Sequence, residues 1–243
     1  MKIIISKNKT DLGEKAAKQG ADLIRKAISL RGRANIIVAT GASQFEMLRV
    51  LVQEDIDWSV VTCFHLDEYI GLPESHPASF RKYLKDRFAS IVHPLAFHYV
   101  NGEGDVDEEC ARLHNLILEH PIDVAFVGIG ENAHLAFNDP PADFGTKESY
   151  LAVTLDEQCR KQQLGEGWFD SLTEVPAKAI TMSIHRIMQS EHIICSVPDK
   201  RKSIAVKKVV NDPITPDIPA SILQEHGSTY LFLDQESSHL LNP

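Results

Sequence analysis

The sequence feature that most constrains the fold of this chain is a regular alternation of short apolar runs with amphipathic segments. The runs are rich in β-branched residues, as in the buried strands of parallel sheets, and the segments between them have helical periodicity. This pattern predicts an α/β fold: a single-domain, doubly wound, mostly parallel Rossmann-like sheet with helices on both faces. Strands are predicted at Lys2–Ser6, 35–39, 60–65, 124–127, 151–155, 179–183, 192–197 and 229–233, and helices at 11–31 (with Thr10 as N-cap), 44–51, 77–89, 108–119 and 201–210.

The net charge limits the kinds of ligand that this protein can bind, and its cysteine usage indicates the cellular compartment. The chain has 243 residues, and its 34 acidic and 25 basic residues give a net charge of −9. This disfavours nucleic acid and membrane surfaces as partners. The four cysteines are dispersed, no apolar run reaches transmembrane length and no signal peptide is evident. We therefore expect a soluble cytoplasmic protein that acts on a small molecule.

Ligands of doubly wound sheets bind beyond the carboxyl ends of the strands, and three predicted strand-end loops stand out. The first contains Thr40, Gly41, Ala42 and Ser43 and precedes a helix. Free backbone N–H groups and the helix dipole favour an anion there, and a phosphoryl group is the natural ligand. An ordinary glycine turn with a serine cap is an equally simple interpretation of these four residues.

The second loop, Asp67-Glu68-Tyr69, places two acids after an apolar run. A carboxylate among apolar walls can have a raised pKa and act as a general base. Alternatively, both acids are solvated or cap a helix.

The third loop extends from Gly128 to Asp139 and ends in two prolines. Its start approximates a dinucleotide fingerprint, but it lies far from the first strand and does not open a helix, so a nicotinamide cofactor is disfavoured. His134 and Asp139 fit proton transfer better, with Asn132 close by, because a carboxylate can hold an imidazole in one tautomer. A structural histidine bonded to backbone is the alternative.

Taken together, these loops resemble the glucosamine-6-phosphate deaminase (isomerase) family, whose superfamily also contains the 6-phosphogluconolactonases. The resemblance rests on Leu66-Asp-Glu-Tyr-Ile-Gly-Leu-Pro73, His76-Pro-Ala-Ser-Phe80 and Gly128-x-Gly…His134-x-Ala-Phe-Asn-Asp-Pro140. The Ser-Leu-Phe-Pro ending of lactonases is missing after the histidine, which favours the deaminase branch.

The resemblance implies a 2-amino-2-deoxyhexose 6-phosphate as substrate and needs neither a metal nor a redox cofactor. His134, supported by Asp139, would open the sugar ring, and Asp67 would move a proton between C2 and C1. Lys202 would join the loop at 40–43 in binding phosphate. Glu68 and Arg160 are further candidate substrate contacts, and a candidate lid covers residues 156–178.

The chain departs from the family pattern at several positions. Asn132 stands where many members have Asp, Asp139 replaces the commoner Glu, and Ser183-Ile-His185 replaces a Gly-x-Gly. The usual lid arginine has no clear counterpart, and Arg160 lies near its place. His185 and Arg186 are alternative pocket residues or part of a surface turn. Two other functions are therefore considered, a sugar-phosphate lactonase and a non-catalytic sugar-phosphate sensor, and family members can be monomers or homo-oligomers.

Overall fold

Ten strands and nine helices are found in residues 1–241, which is the part of the chain that the structure, a computed structural model, describes. The strands are β1 (Lys2–Ser6), β2 (Ala34–Val38), β3 (Val61–His65), β4 (Asp67–Tyr69), β5 (Ala96–His98), β6 (Val124–Val127), β7 (Tyr150–Thr154), β8 (Lys178–Met182), β9 (His192–Val197) and β10 (Thr229–Asp234). Seven of them form a wholly parallel sheet in the order β1-β10-β9-β6-β2-β3-β5. The predicted sheet is thereby confirmed.

Helices cover both faces of this sheet. They are α1 (Lys9–Arg31), α2 (Phe45–Leu51), α3 (Phe80–Leu84), α4 (Ser90–Val92), α5 (Val106–Leu118), α6 (Glu157–Gly165), α7 (Ile184–Met188), α8 (Ser203–Asn211) and α9 (Gln235–Ser238), with a π-helical turn at Lys85–Ala89. Successive residues of a strand point to opposite faces. Accordingly, Ile36 packs in a core with α1 and α2, and Ile37 packs in another with α5 and α8. The doubly wound arrangement follows from these two cores.

A second, antiparallel sheet in the order β4-β8-β7 corrects one prediction. The triplet at Asp67–Tyr69 is not a loop but a short strand, in which Asp67 pairs with Thr181 and Tyr69 with Ala179. Its partner β8 comes much later in the chain, so no local pattern indicates the pairing.

The five predicted helices start within three residues of their predicted first residues, and at two of them a capping side chain explains the difference. Asn8, rather than Thr10, caps α1 by accepting a hydrogen bond from the backbone N–H of Asp11, and Gly32 ends the helix in the left-handed conformation, as expected. The predicted helix at 77–89 begins at Phe80, because the side chain of Ser79 caps it.

The sheet order places a crevice between β2 and β6. From β2 the chain passes to β3 on one side, whereas β6 lies on the other, and ligands of doubly wound sheets bind where the order reverses in this way. Two of the predicted loops follow these two strands and therefore meet at the crevice. None of the helices in residues 1–241 has the length and apolar character needed to span a membrane.

Candidate active site

A cleft with about 590 Å³ of empty space opens at this crevice. Segments that follow β2, β3, β6 and β9 contribute to its wall, and α6 contributes from the other side. Of the residues predicted from the sequence, six line it: Thr40, Gly41, Ser43, Asp67, His134 and Lys202. Four separate segments of the chain thus converge at the edge of the sheet where the predicted topology places the ligand.

One end of the cleft suits an anion. Gly41 has a φ of 93°, which favours glycine, and a 3-10 turn at Ala42–Gln44 leads into α2. Ala42 belongs to this turn but does not itself line the cleft. The Lys202 side chain is buried here, and burial lowers its pKa to about 8 although Glu131 and Glu166 act in the opposite direction. A buried lysine beside free backbone N–H groups is a strong site for a phosphoryl group.

A second part of the cleft wall is formed by His134, and Asp139 lies beside this histidine. The Nδ1 atom of His134 lies 3.1 Å from Oδ1 of Asp139, and each side chain is 9% exposed. A Cβ atom at Gly130 would lie 2.3 Å from the imidazole, so only glycine lets the ring pack there. The backbone around the histidine is strained, because Ala133 and Ala136 have φ values of 67° and 51°. Such strain often marks a functional site.

Asn132 and the backbone hold this pair in place. The Asn132 amide donates to Oδ1 of Asp139 at 3.0 Å, and its oxygen accepts from the backbone N–H of His134 at 3.2 Å. The backbone N–H of Asp156 reaches Oδ2 of Asp139 at 3.3 Å. Burial alone would raise the pKa of Asp139, but His134, Asn132 and Asp156 together lower it. Asp139 is therefore held as the carboxylate that an imidazolium needs beside it.

Asp67 and its neighbour Glu68 have different surroundings. Asp67 lines the cleft, and burial, followed by the nearby Glu68, raises its pKa well above the usual value. Glu68 does not line the cleft. Its carboxylate accepts from Ser79 Oγ at 2.8 Å and from Arg81 Nε at 3.2 Å, and it accepts from backbone N–H groups at the start of α3. Glu68 thus differs from its prediction in position: it bonds the start of a helix and a buried arginine instead of lining the cleft.

Arg160 is also placed differently from its prediction. Its guanidinium donates to the backbone carbonyls of Leu172 and Val175, and it does not line the cleft. It fastens the segment after α6 to that helix. His185 and Arg186 are likewise outside the cleft lining, and Arg186 donates to Ser149.

Several cleft residues were not predicted from the sequence. Helix α6 contributes Gln162 and Gln163, and Glu166 directly follows the helix. Arg201, whose place beside Lys202 the sequence already indicates for the anion site, lines the cleft as well. Gln163 accepts a hydrogen bond from the Tyr69 hydroxyl at 2.8 Å, which ties α6 to β4. The signal that points to α6 is its polarity, since glutamines facing the protein need polar partners.

The fold and the cleft together define an α/β protein with a buried lysine and a His134–Asp139 pair at a cleft on the carboxyl edge of a parallel sheet. The family model described as glucosamine-6-phosphate isomerases/6-phosphogluconolactonase matches residues 7–231. The chain belongs to this family.

Curated relatives are similar in sequence to this chain over nearly its whole length. A glucosamine-6-phosphate deaminase of Lactobacillus delbrueckii subsp. bulgaricus is 34% identical, covering 99% of this chain and 100% of its own. Another, of Clostridium botulinum, is 36% identical over 100% of this chain and 98% of its own.

Solved structures with the same fold are the third point of comparison. A structure described as a monomeric glucosamine-6-phosphate deaminase superposes with a TM-score of 0.90 at 32% identity, covering 99% of this chain and 100% of that one. The 6-phosphogluconolactonase of Trypanosoma brucei gives a TM-score of 0.81 at 15% identity, covering 99% and 98%. The latter identity supports a shared fold only.

Proposed function

We propose that this protein is a deaminating aldose–ketose isomerase. It converts a 2-amino-2-deoxyhexose 6-phosphate, with glucosamine 6-phosphate as the preferred substrate, into fructose 6-phosphate and ammonia. Full-length relatives named for this activity support the assignment. One observation about the site carries the proposal: Asp67 and the His134–Asp139 pair line or border the same cleft as the buried Lys202 and the loop at Thr40–Ser43, which suit a phosphoryl group.

Ring opening is the first step, and His134 performs it. With Nδ1 facing Asp139, the other ring nitrogen serves as the proton carrier between the anomeric hydroxyl and the ring oxygen. Asp139 stabilises the imidazolium formed in passing, and Asn132 orients the pair. The Asn at position 132 has no acid–base role, because an amide does not accept a proton near neutral pH.

Asp67 then moves a proton within the open-chain aldehyde. Its carboxylate removes the proton at C2, giving an enolamine, and returns it to C1. Water adds to the resulting C2 iminium, and ammonia leaves to give the ketose. The raised pKa makes Asp67 a stronger base, and the substrate's own ammonium group at C2 favours its ionised form.

The phosphate fixes the sugar in position for both steps. Thr40, Gly41, Ser43 and Lys202 bind it, and the phosphate is not itself a reacting group. Binding energy from such a non-reacting group orients C1 and C2 against Asp67 and His134.

An ammonia-release assay tests this function. The purified protein is incubated with the 6-phosphates of glucosamine, galactosamine and mannosamine, and fructose 6-phosphate is measured in parallel. We expect equimolar ammonia and ketose from glucosamine 6-phosphate. Tight binding of all three without release would instead identify a sugar-phosphate sensor.

Hydrolysis of a 6-phosphogluconolactone serves as the competing assay. Attack of water on a lactone requires a base such as His134 but no proton transfer from C2 to C1. A lactonase would therefore keep its turnover in the Asp67→Asn variant, whereas the deaminase would lose it.

The remaining proposals concern the cellular location of the enzyme, a lid over its cleft and its oligomeric state. We propose a cytoplasmic location, which suits the four unpaired cysteines. We expect α6 and the segment that follows, residues 156–178, to act as a lid over the bound sugar. Light scattering will distinguish a monomer from a homo-oligomer.

A further inference from the structure

Helix α6 brings a thiol next to the His134–Asp139 pair. The ligand atoms of His134, Asp139 and Cys159 all lie within 4.8 Å of one another, although Cys159 comes from a different segment of the chain. From this arrangement we infer a binding site for a thiophilic divalent cation such as Zn²⁺, which blocks the enzyme when occupied.

The donor set fits such an ion. Zn²⁺ prefers sulfur and imidazole nitrogen, with carboxylate oxygen as a further ligand, in a tetrahedral arrangement. Bond lengths of about 2.0–2.3 Å place tetrahedral ligands roughly 3.3–3.8 Å apart, so small side-chain shifts suffice to close the observed cluster. A water molecule completes the fourth position, as in other zinc sites with three protein ligands.

His134 has coordination capacity that the protein does not use fully. Its Nδ1 atom is buried, the residue is only 7% exposed, and no group in residues 1–241 forms a well-directed hydrogen bond with it. Asp139 lies near enough for a charge contact, at 3.1 Å. A buried nitrogen without an aligned partner is destabilised, and a metal bond to its lone pair removes that penalty.

The surroundings favour a positive charge. Asp139 and Asp156 lie on two sides of the Asn132 amide, at 3.0 and 3.4 Å from its nitrogen. Burial, followed by these same two carboxylates, raises the pKa of the Cys159 thiol. The thiol therefore stays protonated in the free protein, and a bound dication reverses that balance.

Binding proceeds with loss of one proton from sulfur. The Cys159 thiol releases H⁺ to solvent as the S–Zn bond forms. In the free protein the Nδ1 proton of His134 faces Asp139. On metal binding this proton leaves Nδ1 to solvent and the other ring nitrogen takes one up, so that the imidazole stays neutral and bonds through Nδ1, while the Asp139 carboxylate bonds through one oxygen. The metal then holds both groups that the ring-opening step needs to exchange protons. This inhibitory consequence rests on the proposed function, whereas the coordination itself does not.

Cobalt substitution tests the site without reference to activity. Co²⁺ is titrated into the protein, and its thiolate charge-transfer absorption and tetrahedral visible bands are recorded. Zn²⁺ inhibition of ammonia release is then measured as a ratio to each variant's own metal-free rate. The variants are Cys159→Ser and Cys159→Ala, both checked for folding by circular dichroism, and Cys110→Ser, which removes a more accessible thiol on α5. Mg²⁺, a hard cation, is the metal control.

We expect one equivalent of Co²⁺ to give the thiolate band in the natural protein and in Cys110→Ser, and the band to vanish in both Cys159 variants. Zn²⁺ should inhibit at least about tenfold more weakly in the Cys159 variants, while Mg²⁺ inhibits none. The inference is overturned if the natural protein shows no thiolate band, or if the band or Zn²⁺ sensitivity follows Cys110. A protein that binds Co²⁺ through Cys159 yet releases no ammonia would contradict the proposed function alone.

Discussion

Asp67 and Glu68 are adjacent, carry the same functional group and are both buried, yet the fold uses them in opposite ways. Because β4 is a strand, their side chains point to opposite faces. Glu68 accepts hydrogen bonds from Ser79 and from the start of α3 and pairs with Arg81, so its bonding capacity is filled. Asp67 faces the cleft, and no hydrogen bond from residues 1–241 offsets the burial that raises its pKa.

The comparison teaches that burial of an acid does not by itself indicate chemistry. A buried carboxylate with partners on every side stabilises the fold, whereas one without partners keeps its capacity for a ligand or a proton. The two residues should therefore respond oppositely to the same loss of charge.

The largest effect is expected for Asp67→Asn. The amide keeps the shape of the side chain but removes the base, and general-base catalysis contributes about 10²–10⁴-fold to rate. We expect kcat for ammonia release to fall by about 10³-fold or more. The melting temperature should stay the same or rise, because a buried unpaired carboxyl is replaced by a neutral amide.

Glu68→Gln is the matched control, with the reverse outcome. Loss of one partner of a buried ion pair costs about 3–5 kcal/mol. Arg81 also contacts Glu103 at 2.8 Å, so we expect the lower end of that range. For a chain of this size, this corresponds to a fall of about 6–12 °C in melting temperature, with kcat within a few-fold of the natural protein. The distinction between the two acids would be wrong if Glu68→Gln abolished turnover while the melting temperature was unchanged.

His134→Ala is expected to have the next largest effect. The variant removes the proton carrier but leaves the phosphate end of the cleft intact, so we expect kcat to fall by about 10²–10³-fold and KM to change by less than about threefold. Steady-state ammonia release gives both constants. A variant with near-normal turnover would contradict the proposed role of the His134–Asp139 pair.

A substitution of Lys202 tests the proposed phosphate-binding part of the cleft. Lys202→Ala removes a buried charge-assisted contact of about 1.5–3 kcal/mol, so affinity for fructose 6-phosphate should fall about 10–100-fold. Binding of unphosphorylated fructose should not change. Isothermal calorimetry measures both.

The pH dependence of the same binding gives a finer test. Because burial lowers the pKa of Lys202 to about 8, the ammonium is present below that pH and is lost above it. Affinity for fructose 6-phosphate, which has no amino group, should therefore decline above about pH 8. In Lys202→Arg the charge persists, and the decline should disappear. A decline of equal size in both proteins would assign the titration to another group.

Local sequence patterns predict most strands of the central sheet, because buried parallel strands have continuous apolar sequences. β1, β6 and β9 begin and end where predicted. β4 and β5 were not predicted as strands, since each has only three residues and lacks such a run. β4 is paired by β8 from far along the chain, and β5 forms the edge of the central sheet beside β3. The same distinction applies to the site: loops that directly follow apolar strands were placed in the cleft correctly.

Residues whose partners lie in another segment were not predictable in this way. Glu68 is held by Arg81, which donates a hydrogen bond to its carboxylate. Arg160 is held by hydrogen bonds that it donates to the backbone carbonyls of Leu172 and Val175. Helix α6 faces the cleft with two glutamines, and the polarity of the helix does not by itself indicate which of its sides will be covered. Long-range packing decides these positions.

Glu166 offers the smallest predicted effect and the most specific test of the anion end. Its carboxylate lies in the cleft near the phosphate-binding loop, since a Cβ atom at Gly41 would be 3.7 Å from Glu166 Oε2. A negative charge there opposes a phosphoryl group, so Glu166→Gln should tighten fructose 6-phosphate binding about two- to fivefold, consistent with a partly exposed charge. Salt near 1 M should remove the gain by screening. Glu157→Gln at the start of α6, the helix that Glu166 directly follows, changes an exposed residue paired with Lys161. It is the matched control and should change nothing. Weaker binding by Glu166→Gln would show instead that Glu166 holds Lys202 and Arg201 in position, and the anion end would then depend on an acid as the other end depends on Asp139.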